Sequence, residues 1–421
     1  MPHRIAILTC SILLIPGLIQ AGDWPGFRGP HGNGLADEKD VPVNWSAIEN
    51  VKWKTALPRP CNGSPIVSNG KVFVACAEDA DGKLRSLYCF DRVTGKQAWV
   101  QTVDFGREMP THKTNPFCGT TPTADGKRVV VWHGSAGLHC YDFSGQKIWS
   151  RNFGEFKHIW GYGTSPVIHG ERVILHTGPG ERVSVLALNL ATGNTVWEKE
   201  EPLEGDGSRR PDGEYMGSWC TPVIATVGGQ EQIICAMPNR LVGYDISNGN
   251  VLWHCAGLSH KKGDLAYSSP VMAGDICVDT GGYGGPGIGV RLGESGDITA
   301  KSRLWRTEKN PQSIGTGVFV EGFVYRPNTS PNTIECIDPR TGKSLWKEGT
   351  GGGALWGSIV YVAGRGYLTD QGGTTLVFSL SQDKLTVIAK NRLDEKCNAT
   401  PAVSDGQIFI RTHEHLYCIG Q

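Results

Sequence analysis

The chain has no net charge to spend on a polyanion. Its 421 residues carry 41 Lys and Arg against 41 Asp and Glu, and only 19% are charged. Nucleic acid is therefore not expected as a partner, because no broad field draws it in. Long apolar runs are missing after residue 22, so no later segment is expected to span a membrane. Gly-x-Ser-x-Gly, His-Glu-x-x-His and Cys-x-x-Cys are all absent, which removes the usual signatures of a hydrolase elbow, a zinc peptidase helix and a thiol redox pair. Residues 281–289 are glycine-rich but lack the following helix that a phosphate cradle needs, so they read as a flexible hairpin loop. His413-Glu414-His415 puts two histidines on one side of a strand, yet no third ligand lies nearby in sequence, and no metal is expected there.

What is abundant points to β structure: 57 Gly and 24 Pro without a collagen period, and short apolar runs between turns. The start of the chain is different. Residues 1–4 are weakly basic, residues 5–19 are apolar with Pro16 and Gly17 near the end, and Gln20-Ala21-Gly22 offers small residues for cleavage. Residues 1–21 thus read as a signal peptide, and the mature protein is expected in the periplasm or cell envelope.

An internal repeat organises the remainder. Ser64-Pro65, Thr121-Pro122, Ser165-Pro166, Thr221-Pro222, Ser269-Pro270 and Thr400-Pro401 each precede aliphatic residues, with degenerate copies at Thr316-Gly317 and Ser358-Ile359. Each copy leads through a hairpin, then a strand ending in Asp or Asn, then a glycine turn with Trp four residues beyond it: Trp99, Trp149, Trp197, Trp253 and Trp346. One such four-stranded meander cannot bury both faces, so eight must stack radially. The expected fold is all-β, an eight-bladed β-propeller, with the tryptophans as glue between blades. The last copy has only three strands before the chain stops. Residues 50–55, which carry Trp53 and have no unit of their own, should close the ring as its fourth strand. The division is signal peptide 1–21, N-terminal extension 22–49 and a single propeller 50–421.

The pattern Cys89-x-Asp91-x-x-Thr94-Gly95-x-x-x-Trp99 resembles the repeat of pyrroloquinoline-quinone (PQQ) enzymes and of their non-enzymatic relatives, including the BamB-type outer-membrane assembly scaffold. Asp23-Trp24-Pro25-Gly26-Phe27-Arg28-Gly29-Pro30 looks like the leader of exported PQQ-like propellers of planctomycete-type bacteria. The resemblance implies the propeller fold but fixes no activity. The enzymes that share this repeat hold PQQ over a Trp, cover it with a disulfide between adjacent cysteines and ligate Ca²⁺ with carboxylates and amides. This chain has no Cys-Cys dipeptide, so none of their catalytic residues carries over and no cofactor is expected.

Cys89, Cys140, Cys336 and Cys418 share one repeat position with Ala187 and Gly243, so that position asks for a small side chain, and free buried thiols are expected there. Cys61, Cys118 and Cys397 each lie four residues before a motif proline in units that neighbour one another in a closed ring. They are expected at one channel mouth, with His158, Trp160, Trp219 and Trp356 beside them and His112 and His260 close by. The longer connections, 78–85, 198–217 and 281–289, should rise around the same mouth. Sequence alone thus favours a monomeric, non-catalytic binding or assembly scaffold that meets a protein or small ligand at this long-loop face. The alternatives are a PQQ- or metal-dependent oxidoreductase with a simplified site, or a glycan-binding propeller.

Overall fold

A proline at the head of a strand removes an N–H the ladder does not need, and each complete Ser/Thr-Pro motif here opens the innermost strand of a blade. The computed structural model describes residues 22–202 and 215–420; the expected signal peptide and residues 203–214 lie outside the described residues. Eight antiparallel sheets follow one another along the chain. Blade 1 shows the pattern, running from the inside outward as Ile66–Ser68, Lys71–Ala77, Leu84–Asp91 and Gln97–Asp104. The only helical turns among the described residues are Gly134–Ala136 and Thr299–Ser302.

The ring closes as expected. Val51–Ala56 pairs antiparallel with His415–Ile419, with Trp53 opposite Cys418, and becomes the outermost strand of blade 8. That register recurs. Trp99 lies opposite Cys89, Trp149 opposite Cys140, Trp197 opposite Ala187, Trp253 opposite Gly243 and Trp346 opposite Cys336. The demand for a small residue is steric, since a Cβ on Gly243 would come within 2.2 Å of the Trp253 indole nitrogen.

Five of these six indoles also hydrogen-bond to the next blade. The N–H of Trp53, Trp99, Trp149, Trp197 and Trp346 donates to the carbonyls of Arg92, Phe143, Leu190, Ile246 and Ser381. Blade 5 supplies a sixth such donor that the repeat pattern did not reveal. Trp305 sits opposite Gly289 and donates to Pro339. An inserted stretch with the strand Gly296–Asp297 stands where the glycine turn would be, and it pairs in parallel with the outer strand of blade 4. Beside that insertion the Trp253 N–H turns back to Gln232 of its own blade, so Trp253 is buried but does not clasp its neighbour through a hydrogen bond. In blade 7 Ala389 takes the tryptophan position, and Trp45 of the N-terminal extension is buried in the cluster that joins blades 7, 8 and 1.

The extension closes one end of the channel. Trp24 exchanges two backbone hydrogen bonds with Val67 of blade 1, and Pro25 accepts from Ala124 of blade 2. The chain then reaches the far side, where the buried Arg28 donates to the Gly317 carbonyl of blade 6 and Leu35–Ala36 pairs in parallel with Val360–Val362 of blade 7. Glu38 finally accepts from the Asp405 and Gly406 amides in the first hairpin of blade 8. These contacts lie on the face of the short hairpins, so the channel is blind there and Phe27 forms part of its floor.

Candidate functional site

The eight motif hydroxyls form a closed circuit. The Ser64 amide donates to Thr121 Oγ1, the Thr121 amide to Ser165 Oγ, and so on through Thr221, Ser269, Thr316, Ser358 and Thr400 back to Ser64, at 2.9 to 3.2 Å. The repeat position that reads Ser or Thr is therefore the joint between neighbouring inner strands. All eight side chains are at most 5% exposed, and all eight line a cavity of about 390 Å³ in the channel.

Two residues before each hydroxyl, on the same side of the extended chain, a second ring lines that cavity: Asn62, Gly119, Gly163, Trp219, Tyr267, Ile314, Trp356 and Asn398. The frame is constant and this ring varies. Its apolar arc runs over blades 4 to 7, and its amides stand on blades 8 and 1. The two glycines leave room for neighbours, since a Cβ on Gly119 would meet Asn115 Oδ1 at 2.9 Å and one on Gly163 would meet the Trp219 ring at 3.1 Å.

The aromatic side is braced. A short parallel ribbon, Met216–Ser218 with Asp264–Ala266, delivers Trp219 and Tyr267 side by side, their rings 5.7 Å apart. The Trp219 N–H donates to the Gly161 carbonyl, and Trp160 packs 5.9 Å from Trp219 and 5.8 Å from Tyr283. Tyr283 holds a left-handed backbone with φ 51°, which points to a local constraint at this wall. The glycine-rich stretch is the expected hairpin loop, joining Ile276–Thr280 to Gly287–Arg291, and it is tied to this wall. Gly281 and Gly285 make backbone hydrogen bonds within a tight turn, Gly282 donates to Leu265, and a Cβ on Gly282 would strike Tyr267 at 2.8 Å. The glycines let the turn carrying Tyr283 approach the wall.

The amide side is a relay. Gln371 Nε2 donates to Asn398 Oδ1 at 2.8 Å, Asn398 Nδ2 to Asn62 Oδ1 at 2.9 Å, Asn62 Nδ2 to Asn115 Oδ1 at 3.2 Å and Asn115 Nδ2 to the Trp160 carbonyl at 2.7 Å. It links blades 7, 8, 1, 2 and 3 with every donor pointing the same way round. No Asp, Glu, Lys or Arg is among the described residues lining the cavity.

Of the residues expected at or close to the mouth, His112, Trp160, Trp219 and Trp356 line it. His158 does not. It is buried behind the wall, its ring 4.9 Å from Trp219 and its Nε2 3.0 Å from the Met216 carbonyl. Cys61 and Cys118 are neighbours, Cys397 lies in the adjoining cluster of blade 8, and all three are buried rather than among the described residues lining the cavity. Cys61 Sγ meets the Cys118 carbonyl, and Cys397 Sγ the Arg411 carbonyl. The physical reason is strand alternation: it is the next residue, Asn62, Gly119 or Asn398, that faces the cavity. Burial pushes the Cys397 thiol up to about 12, so it is held as a neutral thiol. All twelve described cysteines are free and buried. Within the 198–217 connection, the described ends are the outer strand Thr195–Glu201 and the ribbon strand Met216–Ser218.

The two most strongly perturbed acids lie outside the cavity wall. Glu395 would be raised by burial, but donors from Lys54, Thr412, Tyr417 and His415 outweigh it and hold its carboxyl at about 2. Glu395, Glu414 and His415 bring three possible ligand atoms within 4.8 Å. Glu395 Oε1 already accepts from Lys54 at 2.8 Å and Tyr417 at 2.6 Å, and Oε2 from Thr412 at 2.6 Å, so this knot ties the closing strand to blade 8.

Asp279 is the other. One carboxylate oxygen accepts from Ser268 at 2.8 Å and Oδ2 has no partner among the described residues. It lines an enclosed pocket of about 30 Å³ shared with Arg326 and Glu335, room for water rather than a substrate. Burial raises its pKa to about 7. In the unfolded chain the group ionises near its ordinary value, so stability falls as pH rises towards 7 and stays reduced above it. Asp279→Asn is expected to raise the melting temperature at about pH 8 and to change it little at about pH 4. Equal shifts in two thermal scans at those pH values would remove Asp279 as the titrating group.

Comparison with known proteins agrees with this architecture. Residues 85–348 and 330–418 match a family model described as outer membrane protein assembly factor BamB. No curated protein sequence matches the chain. Among solved structures, BamB from Moraxella catarrhalis superposes with a TM-score of 0.60 at 14% identity, covering 88% of this chain and 99% of that one. Quinohemoprotein alcohol dehydrogenase from Comamonas testosteroni gives a TM-score of 0.68 at 12% identity, covering 96% and 82%. A europium-containing methanol dehydrogenase gives 0.55 at 10%, covering 96% and 98%. At such identities the structural likeness speaks for the fold alone, and the family follows from the repeat match over most of the chain: this protein belongs to the PQQ-repeat β-propellers of the BamB description.

Proposed function

We propose that this protein is a non-catalytic binding scaffold of the cell envelope that holds its ligand, or a segment of a protein partner, in the open mouth of the propeller channel. The observation that carries the reading is the wall of that mouth, in which aromatic rings face amides and no formally charged side chain is among the described lining residues. Such a lining suits recognition; its one imidazole among the described lining residues, His112, is engaged through Nδ1 by Thr114 at 2.7 Å, and no carboxylate stands beside it there to make an acid–base pair. The envelope assignment rests on the family and on the apolar start of the chain. No helix among the described residues is long and apolar enough to cross a membrane.

The lining does not fit a quinone held with a divalent cation. PQQ is a tricarboxylate and its Ca²⁺ asks for carboxylate oxygens, whereas the described cavity wall offers neither Arg nor Lys to the one nor Asp nor Glu to the other. The buried acid Asp279 faces its own small pocket. Titration of the protein with PQQ and Ca²⁺, followed by melting temperature and quinone absorbance, is expected to give no stabilisation, because only a ligand that binds the native state shifts the transition by mass action. Stoichiometric PQQ binding with reduction of a dye would overturn the scaffold reading in favour of an oxidoreductase.

A further inference from the structure

We infer that the channel mouth is a carbohydrate site, shaped to take the end of a neutral glycan. The inference rests on the reading of the mouth as a non-catalytic binding site and names the class of its ligand. Three observations carry it.

The first is the opposition of two kinds of wall. Trp219, Tyr267 and Trp356 stand on one arc of the variable ring, and Asn398 and Asn62 stand on the other. A sugar ring has the matching division, with C–H faces that lie against flat aromatic surfaces and a rim of hydroxyls that each donate and accept. Asn62 and Asn398 spend both amide hydrogens on Thr114, Asn115 and each other, and each oxygen keeps a lone pair that can accept from that rim. The relay from Gln371 to the Trp160 carbonyl holds these amides in place before any ligand arrives, so little ordering cost is left for binding.

The second is the collar of eight motif hydroxyls. Each oxygen accepts one backbone N–H from the preceding blade, and none donates to a protein acceptor among the described residues. Eight buried O–H groups therefore remain as donors in a cavity they all line. A purely apolar ligand would leave them unpaired at a cost in free energy, whereas a polyol satisfies them.

The third is charge and shape. With no Lys or Arg among the described lining residues, the site has no counter-charge for a nucleotide, a phosphorylated sugar or an acidic peptide. The N-terminal extension crosses the channel from blades 1 and 2 to blade 6 with Phe27 lining the cavity, so the crossing segment stands in the way of a threading chain and favours entry of an end. A cavity of about 390 Å³ suits a short oligosaccharide end.

The test is isothermal titration, with tryptophan fluorescence in parallel, using the mature protein and four neutral probes: maltotriose, cellotriose, mannotriose and tri-N-acetylchitotriose. Inorganic phosphate and PQQ with Ca²⁺ serve as the other arms. At least one trisaccharide is expected to bind with one-to-one stoichiometry and to change the fluorescence. Trp160→Ala is expected to weaken it about tenfold or more. Tyr267→Phe, which keeps the ring and loses only the hydroxyl, is expected to weaken it severalfold with an unchanged melting temperature, so that a folding defect cannot imitate the result. Ile48→Ser, on an exposed surface residue, should bind as the parent does. Silence of all four sugars overturns the inference; if PQQ binds stoichiometrically in their place and a dye is reduced, the scaffold reading falls with it, and if phosphate alone binds, that reading stands and the ligand class is an anion. Sugar binding untouched by Trp160→Ala and Tyr267→Phe would also overturn it, by putting the site elsewhere.

Discussion

A chain that begins at Leu57 is expected not to fold stably. It loses Val51–Ala56, the outermost strand of blade 8, and leaves the edge of His415–Ile419 open. It also loses Trp53, whose N–H donates to Arg92 of blade 1 at 2.9 Å, and Lys54, whose ammonium meets Glu395 at 2.8 Å. Removing a buried Trp alone costs about 3–5 kcal/mol, against a total stability of about 5–15 kcal/mol for a typical domain. The unpaired ladder bonds come on top of that, so the seam between blades 8 and 1 should open. Size-exclusion chromatography and thermal unfolding check this against a chain that begins at Asn50, which keeps the closing strand and loses the channel plug. The chain from Asn50 is expected to stay folded and melt below the full protein, because Trp24 and Trp45 are buried in the extension it lacks. If the chain from Leu57 melted with the one from Asn50, the closing strand would not be what holds the ring shut.

Trp149→Ala is the second large effect, with an expected loss of about 3–5 kcal/mol in urea unfolding. Trp149 is only 8% exposed, lies opposite Cys140, covers Gly193 in the turn of blade 3 and donates to the Leu190 carbonyl at 2.9 Å. Trp149→Phe separates the terms. It keeps much of the buried ring area and strands the Leu190 carbonyl, so about 1–3 kcal/mol should be lost. Gln232→Leu strands the buried Trp253 N–H and should also lose about 1–3 kcal/mol, but within blade 4, because that N–H never crossed to blade 5 and the interface there is built from the packing of Trp253 with Ile288 and Val290. A Trp149→Ala protein as stable as its parent would remove the indole clasp as the main tie between blades 2 and 3.

The repeat signal was legible because it is local. A motif proline, a hairpin glycine and a tryptophan recur within one blade, and the chain need not fold for their spacing to be seen. The same holds for the small residue opposite each tryptophan, which showed as the Cys, Ala and Gly of one repeat position. Trp305 escaped because an insertion replaced the glycine turn that framed the other tryptophans.

The site divides along the same line. Choosing cysteines four residues before the proline found the correct segments and the wrong side of the strand; moving one residue on leads to Asn62 and Asn398, and counting two back from the remaining motif hydroxyls leads to Trp219, Tyr267, Ile314 and Trp356. That offset was present in the sequence. What was not present is their meeting. The Thr400 amide bonds to Ser64 and Asn398 to Asn62, each across 336 residues, and Tyr283 reaches Trp160 through a turn with no repeat of its own. Short-range periodicity determined blades, register and closure, because those follow from which neighbours along the chain are apolar, small or able to turn. The asymmetric mouth was decided only when eight similar blades closed on one axis, because a radial fold brings one residue from each blade together and no spacing along the chain says which chemistries will then face each other.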